Sequence, residues 1–272
     1  MHISLAAEKI FSIGPLAITN SMINTYVVIA LLFLVAFTVG SNVKKIPGRF
    51  QSLIELVIES IYNLVESIAS HNARKIFPFV VTFFIFILCS NWLGLLPGVG
   101  TIGIKEKTEE TSIVSEDKNI EEVVNPTTEK AAETEKFLPL FRAATADLNT
   151  TLALAIIAMI AVQVYGFKSL GISYSKKFLN FSNPIMVFVG ILELISEFSK
   201  VISFGFRLYG NIFAGEVLMA VMAFLIPVLA PTPFYFLEIF VGFIQALVFT
   251  LLLTVFLTGA SEGHEEATAT AH

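Results

Sequence analysis

Residues 183–226 form an apolar stretch that no proline interrupts between Pro184 and Pro227, yet it carries Glu193, Glu197, Lys200, Arg207 and Glu216. Ionisable side chains inside so apolar a run are costly in a membrane, and they mark a working surface more often than a packing one. Ser182 and Asn183 are helix-capping residues and Pro184 suits a first helical turn, so the stretch is predicted as one long helix. At about 1.5 Å per residue that helix is roughly 65 Å long, about twice the hydrocarbon thickness of a bilayer. A helix of that length must tilt, kink or emerge.

Stepping 100° per residue from Arg207, the positions Glu193, Ser196, Lys200, Ser203, Asn211 and Ala214 fall within about 40° of it. Glu216 falls about half a turn away, so the helix separates a cation-bearing face from a carboxylate-bearing one. Glu193 and Glu197 lie on turns too distant for direct contact with Arg207, which points to a partner carboxylate from elsewhere in the fold or from another chain. Gly205, Gly210, Ala214 and Gly215 thin the helix enough for a neighbour to approach closely.

Hydrophobic residues make up 55% of the chain and charged ones only 14%, which fits a polytopic integral membrane protein. The formal charge of −5 is concentrated in Lys105 to Lys136, where ten acidic residues stand against five basic ones. The rest is balanced, and no basic surface suited to nucleic acid remains. Cys89 is the only cysteine, and three of the four histidines lie near the ends, so a metal cluster is not expected.

The expected order is an N-terminal segment over 1–20, a transmembrane helix over 21–40 and an amphipathic surface helix over 50–74. A second span over 76–97 follows, then an acidic loop with little fixed structure over 98–140 and a third span over 145–168. The long helix over 183–226, a final helix over 233–259 and a tail over 260–272 complete a single all-α membrane domain. Lys44, Lys45 and Arg49 after the first span, with Lys168, Lys176 and Lys177 after the third, place those ends in the cytoplasm and the N-terminus outside. No cleaved signal peptide is expected.

Desolvation disfavours the charged forms of Glu216 and Glu238, which suits them to take up and release protons. With Asn211 and Gln245 they suggest a hydrated relay; a neutral, hydrogen-bonded structural role is the alternative for either glutamate. Asp147 can cap the third span or add a role in ion access. No Walker-type loop, Gly-x-Ser-x-Gly elbow or His/Cys ligand set accompanies them, which leaves transport or ion conduction as the class of function.

The stretch SKVISFGFRLYGNIFAGEVL, with FQSLIELVIESI, NWLGLLPG, ADLNTTLALA and FIQALVFTLLL, closely resembles subunit a of the F-type ATP synthase, from about Arg49 to Thr258. The resemblance implies a proton-translocating stator subunit that is not an enzyme on its own and needs no cofactor. Its partners would be the c-ring, subunit b of the peripheral stalk, the F1 sector and membrane lipid, in a bacterial-type inner membrane with the C-terminus cytoplasmic. Arg207 matches the arginine that engages each passing c-subunit carboxylate. Glu216, Asn211 and Gln245 match the half-channel open to the outside, with Asp147 near its mouth; Glu193 and Ser196 match the cytoplasmic half-channel. The last two helices are then expected to form a strongly tilted hairpin facing the c-ring. Glu238 stands where some members have histidine, and the resemblance gives no function to the acidic loop. The runner-up is a self-contained proton- or ion-coupled transporter or channel.

Overall fold

The computed structural model describes residues 9–13, 16–41, 44, 48–96, 103–107, 135–139, 142–178, 184–227 and 229–261. The architecture is all-α apart from short strand pairs. Strands β1 (Lys9–Ile13) and β2 (Leu16–Thr19) form an antiparallel hairpin that leads into helix α1 (Asn20–Ser41). Only Asn20, Ser21, Asn24 and Val28 of α1 are buried, while Phe33, Leu34 and Phe37 face outward.

Helix α2 (Arg49–Ala69) buries Ile61, Val65 and Ala69 and leaves Glu55, Glu59 and Glu66 exposed, an amphipathic pattern. It stops because Ser70 adopts φ 40°, a left-handed value that the helix cannot continue through. One 3-10 turn over Ser70–Asn72 then leads directly into α3 (Ala73–Gly94). The break thus falls several residues before the expected boundary at 74. Among the described residues, four segments are long and apolar enough to cross a membrane: α1, the run of α2 and α3 over Arg49–Gly94, Leu148–Ser175 and Pro231–Ser261.

The acidic insertion, expected as a loop with little fixed structure, is closed at its two ends. Strand β3 (Gly103–Lys107) pairs antiparallel with β4 (Glu135–Pro139), from Gly103 opposite Pro139 to Lys107 opposite Glu135. Such a ladder gives backbone groups at both ends their hydrogen-bond partners. Residues 108–134 lie outside the described residues, as do the expected caps Ser182 and Asn183 and the tail beyond 261.

Helix α4 (Leu148–Leu170) starts at Asp147, whose backbone is extended and whose side-chain Oδ1 accepts the Asn149 amide at 3.0 Å. It ends at Gly171, where φ is 60°. The long element is a single helix, α5 (Pro184–Leu225), 42 residues in length, followed by α6 (Pro231–Ser261). α5 runs antiparallel to α4, since Leu152 packs on Gly205 while Gln163 reaches back to Glu197. α6 returns along α5, with Glu238 against Gly215 and Phe249 and Phe256 around Phe204.

Phenylalanine supplies much of the packing. Phe83 of α3 stacks on Phe249 of α6, which meets Phe204 of α5 edge-on with ring centroids 4.6 Å apart. Such offset and T-shaped pairs suit the aromatic quadrupole and tie three helices at one level. Asn91 Nδ2 donates to the Gly242 carbonyl at 3.1 Å, and Trp92 Nε1 donates to that of Ile239 at 3.1 Å. Near the same end the Tyr235 hydroxyl donates to the Leu95 carbonyl. The α3–α6 contact is therefore apolar in its middle and hydrogen-bonded at one end.

Candidate functional site

Arg207 stands on the outward face of α5. Its Nη2 donates to Ser203 Oγ one turn earlier at 3.2 Å, and its guanidinium leans over the Phe204 ring at 5.9 Å. Among the described residues, no carboxylate lies within salt-bridge reach of it. Ser196, Ser203, Gly210 and Ala214 are exposed along the same face, while Glu193 and Asn211 are partly covered. A side-chain carbon added at Gly210 would meet nothing within 4 Å. The two other glycines of this stretch turn inward instead, Gly205 onto Leu152 and Gly215 onto Glu238. The helix therefore uses some of its glycines to pack inside the chain and leaves one beside the arginine open.

Polar clusters lie on either side of Arg207 along the fold. Where α4 ends, Tyr174 donates to Gln163 Oε1 at 2.9 Å, and Gln163 Nε2 donates to Glu197 Oε2 at 3.0 Å. Lys200 completes the chain at 2.8 Å from Glu197 Oε1, its ammonium 4.8 Å from the centre of the Phe256 ring. Gln163 and Glu197 border a cleft of about 520 Å³ between α4 and α5, otherwise walled by apolar side chains such as Met159 and Phe198.

Where α4 begins, Glu216 receives Arg142. Both Nε and Nη2 of that guanidinium lie 3.0 Å from Glu216 Oε2. The Glu238 carboxyl, buried, fills the space beside Gly215. Gln245, seven residues further along α6, is also buried, and its Nε2 has no hydrogen-bond partner among the described residues. An unmet buried donor costs about 1–3 kcal/mol, so such a group is well placed to bind a water molecule. Asp147 does more than cap α4, because its Oδ2 also accepts Ser21 Oγ at 2.9 Å, linking α1 to α4.

The structure thus seats the Glu238 carboxyl against Gly215, the residue before Glu216, and turns Glu216 toward Arg142, while Arg207 stays exposed. Arg142, Ser21, Gln163 and Tyr174 were not found by sequence reasoning. Arg142 lies in the non-periodic stretch before α4, and its one local signal is its place five residues before the capping Asp147.

A helical protein with several apolar spans and partly buried ionisable clusters on both sides of an exposed arginine has the make-up of an ion-translocating membrane protein. The sequence matches the family described as ATP synthase A chain over residues 21–258. ATP synthase subunit a of Geotalea daltonii is 32% identical over 244 residues, covering 88% of this chain and 87% of the relative. ATP synthase subunit a of Moorella thermoacetica is 30% identical over 257 residues, covering 94% and 97% respectively. The chain belongs to the ATP synthase A chain family and is an integral membrane protein.

Proposed function

We propose that this chain is the proton-translocating stator subunit of a rotary F1Fo ATP synthase and is not catalytic by itself. The observation that carries the reading is the exposed Arg207, a permanent cation on an apolar outer face with no carboxylate within reach among the described residues. A guanidinium so placed requires an anion from outside the chain. On this reading the anion is the carboxylate of each rotor subunit in turn, and the partner surface is the c-ring, with the peripheral stalk and F1 sector completing the complex.

On the same reading there are two half-channels, a division that the placement of the clusters supports. Glu216, Glu238, Asn211 and Gln245 form the one open to the outside, with Asp147 at its mouth. Glu193 and Ser196 form the one leading to the cytoplasm, at the end where Lys75 and Lys168 border a common cavity. That end carries basic residues of the kind expected on the cytoplasmic side of a bacterial inner membrane, which supports the reading of the N-terminus outside and the C-terminus inside. A proton enters past Glu238, loads a rotor carboxylate, travels with the ring and leaves past Glu193. Arg207 promotes that release and blocks a direct leak between the half-channels. The 42 residues of α5 span about 63 Å, a length that supports a strong tilt of α5, with α6 beside it, against the ring on this reading.

The test is ATP-driven proton pumping in vesicles holding the assembled complex, with Arg207→Ala compared to wild type at matched amounts of this chain. Pumping is lost while the c-ring still copurifies. Retained pumping overturns the reading and returns the self-contained transporter as the explanation.

A further inference from the structure

The stretch before α4 carries a second arginine into the fold, and its position is set by elements other than α5. Asn24 Nδ2 of α1 donates to the Arg142 carbonyl at 2.9 Å. Ala143 is packed so tightly on Gly94 of α3 that a side-chain carbon there would lie 2.4 Å from the Ala143 Cβ. Thr145 Oγ1 donates to Asn91 Oδ1 at 2.7 Å, and Asp147 ties the end of the stretch to Ser21 and Asn149. Helices α1, α3 and α4 therefore present the guanidinium, whose side chain is only 11% exposed, to Glu216.

Glu238 stands differently. Its carboxyl rests on Gly215, the residue before Glu216, and it makes no hydrogen bond or ion pair among the described residues. A weakly solvated site with neighbouring carboxyl groups and one cation favours a single carboxylate charge, and the group bonded to the cation keeps it. We propose that Arg142 is a positioning residue that holds Glu216 as a fixed carboxylate and leaves Glu238 as the carboxyl that carries the exchangeable proton at this end of the protein. The assignment rests on the proton-path reading above. It gives different tasks to glutamates that the sequence alone presents as equivalent.

The experiment measures ATP-driven proton pumping in vesicles holding the assembled complex, at matched contents of this chain and of the c-ring. The variants are Glu238→Gln, Arg142→Gln, Arg142→Lys, the double variant Arg142→Gln/Glu216→Gln, and Arg207→Ala as the reference. Glu238→Gln lowers pumping by about tenfold or more, since it removes a proton-carrying group. Arg142→Gln lowers it several-fold because Glu216, left without its cation, competes for the proton. Removing the Glu216 charge as well recovers part of that loss, Glu216 being itself a group of this half-channel, and this non-additivity is one that a merely structural arginine would not produce. Arg142→Lys, which keeps the charge, retains more pumping than Arg142→Gln and covers the case in which the glutamine variant fails to assemble. Wild-type pumping by Glu238→Gln, or a double variant no better than Arg142→Gln, overturns the assignment. If Arg207→Ala is silent in that same experiment, only the division of labour falls; if Arg207→Ala also pumps, the proton-path reading falls with it.

Discussion

The Glu238 carboxyl occupies the space that a side chain on Gly215 would need, with its Cδ 2.3 Å from where a β-carbon would stand. A buried acid on one helix is thus seated in a notch left by a glycine on its neighbour.

Gly215→Ala tests that seat. The group in the way is the end of a flexible side chain, so it can rotate aside and the helices can stay packed. The variant should assemble with normal c-ring content while its ATP-driven proton pumping falls several-fold. Undiminished pumping would show that the carboxyl does not work from this position.

Gly190 is a contrasting case. A β-carbon there would lie 2.3 Å from the Phe178 carbonyl oxygen, which is backbone and cannot swing away. Gly190→Ala should cost roughly 1–3 kcal/mol as an overpacked contact. Thermal unfolding of the detergent-solubilised chain would register this as a Tm lower by several degrees, and an unchanged Tm would refute the contact.

Asp147 can be divided by substitution into its cap and its charge. Asparagine is as good an N-cap as aspartate, and its amide nitrogen, standing where Oδ2 was, can donate to the Ser21 hydroxyl, so Asp147→Asn should unfold close to the wild-type temperature. Asp147→Ala loses the cap and leaves the buried Ser21 hydroxyl without this acceptor. It should be destabilised by about 1–3 kcal/mol, read by the same thermal unfolding. Equal Tm values for both variants would contradict this anchoring role.

Arginine and lysine differ at position 207 in shape more than in charge. A planar guanidinium can bridge both oxygens of a carboxylate, whereas an ammonium is a strongly hydrated point charge. Arg207→Lys should therefore restore little of the pumping lost in Arg207→Ala, measured in the same vesicles. Full restoration would mean that charge alone suffices.

The helical periodicity of the sequence made much of this legible. It set Arg207 on a face apart from Glu216, and Arg207 is exposed while Glu216 turns toward Arg142. The seven-residue spacing of Glu238 and Gln245 placed them on one face, and both are buried. What periodicity cannot reach is a contact between distant stretches. Arg142 meets Glu216 across 74 positions, and Ser21 meets Asp147 across 126. Arg142 and Ser21 are in no repeating pattern that would show which residue each faces. The break between α2 and α3 falls at Ser70, a few residues before the boundary that hydrophobicity suggests, for a similar reason, since one left-handed residue in an amphipathic run leaves no mark on hydrophobicity.

The open side of Gly210 has a mechanical consequence under the proposed function. A surface that grips one partner gains from interlocking side chains, but a surface passed by many identical subunits in succession would pay for each knob it had to clear. Around Arg207 the relief is low, with Ser203, Gly210 and Ala214 all exposed and small. Such a track lets the charge do the holding while the backbone offers little friction, so adding bulk at Gly210 should slow rotation before it weakens assembly.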